Sequence, residues 1–115
     1  MNKKLVVCAM SAGVLALAAL PAWADTDTRC IQVAAAALKI ADHRVHGVSE
    51  EHLVETTTQT AAEKHINPIT RDFTMRMIQS IYHDEPYRDQ PPTLVSEAWL
   101  KACDATGYEA MATAR

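Results

Sequence analysis

The chain has 115 residues, 49% of them apolar, and a formal charge of −3. Eighteen of the apolar residues and no acid fall in the first 24 positions, which leaves 91 residues with an ordinary apolar share. That is enough for one small core, and it excludes a two-domain enzyme.

Residues 1–24 read as a cleaved export signal. Lys3 and Lys4 form a basic start, Leu5 to Leu20 an apolar stretch, and Ala22-Trp23-Ala24 a small-residue cleavage site before Asp25. The stretch is shorter than the roughly 20 residues that a membrane-spanning helix needs. Cys8 precedes most of the apolar stretch instead of following it, which argues against lipid attachment. A compact leader of this kind places the protein in the bacterial periplasm or beyond it, as a single domain over 25–115 with no membrane span after cleavage. Loss of the leader removes two of the 11 cations and none of the 14 acids, giving a net charge of −5. An acidic chain without a basic cluster is a poor ligand for nucleic acid or anionic lipid.

The first element expected after the leader is a long helix. Ile31, Ala34, Leu38, Ala41 and Val45 recur at steps of three and four, and Cys30, Val33 and Ala37 widen the stripe. Gly47 terminates it. Ser49 caps a second helix, with Glu50 and Glu51 at its positive end. Its Thr56-Thr57-Thr58 run and sparse apolar contacts (Leu53, Val54, Ala61, Ala62) make it the weakest and most mobile element. Asn67-Pro68 starts a third helix. Along it Ile69, Phe73, Met77 and Ile81 form one face, while Met75, Ile78 and Tyr82 form a second, nearly opposite. A helix apolar on both sides is either central in its bundle or half exposed with an adhesive patch.

Residues 83–92, HDEPYRDQPP, carry three prolines and read as a fixed loop. Thr93 then opens a last helix with Val95, Trp99, Ala102 and Cys103 inward, and Gly107 ends it. The tail from about 108 is expected to fray. The sum is an all-α fold, a small four-helix bundle.

Only Cys30 and Cys103 remain after cleavage, in an oxidising compartment, so one disulfide is expected between the first and last helices. It closes a loop of about 74 residues, worth roughly 4 kcal/mol by chain entropy. The pair lacks the Cys-x-x-Cys spacing that tunes a thiol for exchange.

Signals for chemistry are few. His43 and His46 could face one metal ion, yet no His-Glu-x-x-His or second paired motif follows, and surface histidines explain them. Met75, Met77 and His83 could hold copper(I), although core packing accounts for Met77. Ser80 and His83 are neighbours on a helix but lack a nucleophile elbow. Gly47 and Gly107, the two glycines beyond the leader, cannot build a phosphate loop. No catalytic residue, resident metal or cofactor is assigned.

Protonation of five histidines takes the formal charge from −5 to zero, and acid loosening could expose Met75, Ile78 and Tyr82. In size, leader and single disulfide the chain is similar to small periplasmic acid-stress chaperones, which implies an acid-activated holdase as one alternative. Its layout also resembles small secreted or periplasmic helical proteins of proteobacteria. That layout comprises the leader, a cysteine near each end, Arg44 and Gly47 closing a long first helix, and Ile81-Tyr82 before a proline loop. No activity follows from that resemblance. The first expectation is a non-enzymatic protein-binding module of inhibitor, immunity or accessory type. Its partner is another envelope or exported protein or a second copy, and its contact residues are Met75, Ile78, Tyr82, Tyr87 and Arg88. Metal binding through His43 and His46 is the remaining alternative.

Overall fold

The computed structural model describes residues 28–114, and these form six helices: α1 Thr28–Val45, α2 Glu50–Glu63, α3 Pro68–His83, α4 Glu85–Arg88, α5 Pro92–Thr106 and α6 Tyr108–Thr113. The protein is all-α over these residues. The expected leader cleavage lies outside them. Among the described residues no helix is long and apolar enough to cross a membrane.

The expected helix boundaries are reproduced for local reasons. Gly47 takes a positive φ of 84° and lets the chain turn out of α1. Ser49 Oγ accepts the His52 amide at 3.1 Å, and Asn67 Oδ1 accepts that of Ile69 at 2.7 Å. Each cap satisfies an amide that the first helical turn leaves without a partner. Gly107, at φ 92°, reverses the chain between α5 and α6.

Two departures change the expected four-helix layout. Residues 83–92 are not a loop throughout, because Glu85–Arg88 form one helical turn with Pro86 in its first turn. The tail does not fray after Gly107. It folds as α6, whose Ala112 is buried and whose Tyr108 ring packs edge-on against Phe73 at 6.0 Å. A smaller shift moves the start of the fifth helix to Pro92, where a missing N–H costs nothing. Four long helices therefore carry two short ones, and the disulfide joins the first helix to the fifth, not to the last.

Cys30 and Cys103 are bonded, with Cα atoms 5.6 Å apart. Ser96 Oγ donates to the Ala34 carbonyl at 2.8 Å, so α1 and α5 run antiparallel along their length. This pairing decides which face of α1 is inside. The buried residues are Cys30, Val33, Ala34, Ala37, Ile40 and Ala41, whereas Ile31, Leu38 and Val45 are 37%, 40% and 58% exposed. The expected stripe is thus rotated. Alanines at 34, 37 and 41 let α5 approach closely, and a bulkier Leu38 on that face would hold it away.

α3 is the central helix. Phe73, Met77, Ile78 and Ile81 are all buried along it, within a core that also takes Val33, Ile40, Leu53, Val95 and both cysteines. Ile69, expected on the same face, is exposed at the open end of the helix. α2 packs on α3 with only Leu53 and Ala61 buried. Phe73 also meets Trp99 of α5 edge-on, at 6.2 Å between ring centres.

Candidate functional site

The C-terminal ends of α1 and α3 converge with α4 and the turn before α2, and Arg44 is the centre of this end. Its position in the last turn of α1 points the guanidinium at the strap formed by α4 and residues 89–91. Nη1 donates to the carbonyls of Ile81 at 2.8 Å and Tyr87 at 2.7 Å, and Nη2 donates to that of Gln90. The Ile81 carbonyl lies in the last turn of α3, where helical amides run out, and the Tyr87 carbonyl, which already accepts the Gln90 amide at 3.0 Å, takes the guanidinium as a second donor. A planar cation with several donors in a fixed fork spans the three carbonyls at once.

Three further contacts hold the same end. The Tyr82 hydroxyl donates to the Val48 carbonyl at 2.6 Å, tying α3 to the turn after α1. Burial raises the Tyr82 pKa above its ordinary value, nearby Arg44 opposes the shift, and Glu50 adds to it. His83 Nε2 lies 2.6 Å from Glu50 Oε1, joining α3 to the start of α2. Ser80 Oγ donates to Asp84 Oδ2 at 2.7 Å, where α3 hands over to α4.

The strap has a packed side and an open side. The Tyr87 ring is half-buried, with its centre 5.6 Å from that of Trp99. Glu85, Pro86, Arg88 and Asp89 are exposed, and Arg88 Nε is 3.5 Å from Asp89 Oδ2. Beside the strap, a shallow depression of about 370 Å³ is lined by Arg76, Gln79, Ser80, His83, Asp84 and Trp99. Trp99 Nε1 is the one buried side-chain polar atom without a hydrogen-bond partner among the described residues.

The structure separates the residues expected to form one contact surface. Ile78 is 1% exposed and lies in the core, so it offers no surface to a partner. Met75 and Tyr82 are half-buried against their neighbours. The second apolar face of α3 is therefore largely interior, because α3 is the central helix. Tyr87 and Arg88 do share the strap, the first as its inner anchor and the second on its outer side. Ser80 and His83 are each engaged elsewhere, with Asp84 and Glu50. His43 is half-buried, and exposed His46 has Nδ1 2.8 Å from the Asp42 carbonyl oxygen. Among the described residues no three His, Cys, Asp or Glu side chains converge on a position for a metal ion.

In the sequence Arg44 signals only the end of α1. Its main-chain acceptors lie 37 to 46 positions away and carry no side-chain signal. Periodicity puts Trp99 in the core stripe of α5, and its orphaned N–H is likewise visible only in three dimensions. No protein-family model, curated protein or solved structure matches this chain.

Proposed function

We propose that this protein is a small exported binding module that recognises another protein of the cell envelope through the strap at residues 84–91. The observation that carries this reading is the Arg44 clamp. Three main-chain carbonyls held by one guanidinium fix the strap before any partner arrives. A surface ordered in advance loses less conformational entropy on binding, and that raises affinity without adding contacts. Its exposed edge presents Pro86 and Arg88 on a rigid frame, with a shallow depression alongside for a protruding side chain. Arginine set on such a frame is a favoured interface anchor.

Export fits the same picture. The cross-link between α1 and α5 belongs to an oxidising compartment, where a leader at residues 1–24 would deliver the chain. The work of the protein is then stoichiometric binding without catalysis, as an inhibitor, an immunity partner or an accessory subunit.

Affinity capture from periplasmic extract tests the reading, using the disulfide-bonded protein and its Arg88→Glu variant. Wild type should retain one partner at equal stoichiometry, and Arg88→Glu should lose it while keeping its helical spectrum. Lys64→Glu, at the far end of α2, should retain the partner. Capture of no stoichiometric partner, or a partner held equally by Arg88→Glu, refutes the strap as the recognition surface.

A further inference from the structure

The rotation of α1 leaves an apolar face that no other helix covers among the described residues. Ile31, Leu38 and Val45 recur every seven residues and are 37%, 40% and 58% exposed. At about 100° per residue they drift by only about 20° per step, so they form one line along the helix. Alanines on one flank of that line pack against α5. On the other flank Ala35, Lys39, Asp42 and His46 are all exposed. Between this flank and the start of α5 lies an open depression of about 500 Å³, lined by Ala35, Leu38, Lys39, Asp42, Pro92 and Thr93.

We propose that this face is a homodimer interface in which α1 of two copies pack antiparallel about a two-fold axis at Leu38. The pattern is self-complementary in that arrangement. Ile31 and Val45 are equally far from Leu38 in opposite directions, so the axis sets Ile31 of each copy opposite Val45 of the other. Leu38 meets its own counterpart on the axis. The charges match as well, because a two-fold axis of this kind keeps like flanks together. Lys39 of one copy and Asp42 of the other are then offset by about 7.5 Å along the helices at 1.5 Å rise per residue, within reach of a lysine stem. His46 lies on the same flank, with Nδ1 3.5 Å from Asp42 Oδ1. The depression beside Leu38 receives apolar side chains from the facing helix. A parallel arrangement would instead set this charged flank of each copy against the alanine flank of the other, which already packs on α5 and offers Lys39 and Asp42 no opposite charge. The contact is isologous, so it closes at two copies and leaves the strap free.

Sedimentation velocity of the disulfide-bonded protein, from micromolar to submillimolar concentration, gives the first reading. Wild type should pass from monomer to dimer, and Leu38→Glu should remain monomeric throughout. Asp42→Lys should weaken association several-fold, and the double exchange Lys39→Asp with Asp42→Lys should restore it. Oxidative cross-linking then fixes the register. Leu38→Cys should form a covalent homodimer, while Ile31→Cys and Val45→Cys should cross-link when mixed and not when each is alone. A wild-type monomer over the whole range overturns the proposal, and so does a dimer that survives Leu38→Glu. If an unrelated protein is captured stoichiometrically and lost on Leu38→Glu, while wild type alone stays monomeric, the face belongs to that partner and the proposal fails. None of these readings depends on Arg88, so the strap and this face are tested separately.

Discussion

Reducing the Cys30–Cys103 bond should remove a large share of the folding stability. The two cysteines are 73 positions apart and almost fully buried, so the bond constrains most of the helical body when it unfolds. Loop-closure entropy for a ring of that length comes to roughly 4 kcal/mol at 25 °C. A domain of this size has a net stability of about 5–10 kcal/mol, so reduction should leave it marginal. With a urea dependence near 1.3 kcal/mol per molar, the unfolding midpoint should fall by about 3 M. The dependence itself should steepen, because the reduced unfolded chain exposes more surface. In a chain beginning at Asp25, Trp99 would be the one tryptophan, and its fluorescence would report the core between α3 and α5. Urea titrations with and without a thiol reductant make the comparison on one sequence. A double replacement of Cys30 and Cys103 by alanine, which adds no buried hydroxyl, should reproduce the reduced midpoint. Equal midpoints for oxidised and reduced protein would refute the reasoning, since the long loop would then contribute nothing.

Arg44→Met should cost about 2–3 kcal/mol, since three carbonyls lose a charged donor, and amide exchange over residues 84–91 should accelerate more than in the α1–α5 core. Arg44→Lys should rescue that exchange only in part. Tyr82→Phe should cost about 1 kcal/mol by losing the bond to Val48. It should also change the alkaline limb of stability. Because the folded-state pKa of Tyr82 is raised, its contribution is complete below the unfolded tyrosine value near 10 and is lost as pH climbs through the folded value. Denaturation followed above pH 10 should therefore be shallower in Tyr82→Phe than in wild type. Gly107→Ala should destabilise by about 1–3 kcal/mol through its positive φ alone, because an added Cβ meets nothing within 4 Å. A loss much above that range would point to a clash the local geometry does not contain.

Local signals fixed the positions of the long helices, and non-local ones decided their faces. Ser49, Asn67-Pro68, Gly47 and Gly107 act on their own neighbours, so their roles could be read directly. The inward face of α1 depended on where α5 would sit. The periodic pattern does include Cys30, Val33, Ala34, Ala37 and Ala41, all of them buried, but it extends too far on one side, to Ile31, Leu38 and Val45, and omits Ile40 on the other. A cross-link at Cys30 turns Leu38 outward, and close approach of α5 over the alanines outweighs the bulk of the larger side chains. The short helices were hidden for different reasons. Three prolines concealed the single turn at Glu85–Arg88, although Pro86 sits in a helix's first turn where proline is accommodated. α6 is too short to show a period, and Tyr108 and Ala112 gain their order by packing on α3. The site was the least legible part. Residue type singles out Tyr87 and Arg88, but the clamp that orders them runs from one side chain to distant carbonyls, and a carbonyl is present at every position.

Intact mass of the protein recovered from the cell envelope is the most direct measurement of all. Export followed by cross-linking requires a chain that begins at Asp25 and is lighter by two hydrogen atoms than its own reduced form. Recovery of the full-length precursor from the cytosol, with its thiols free, would contradict both the compartment and the staple on which the binding role rests.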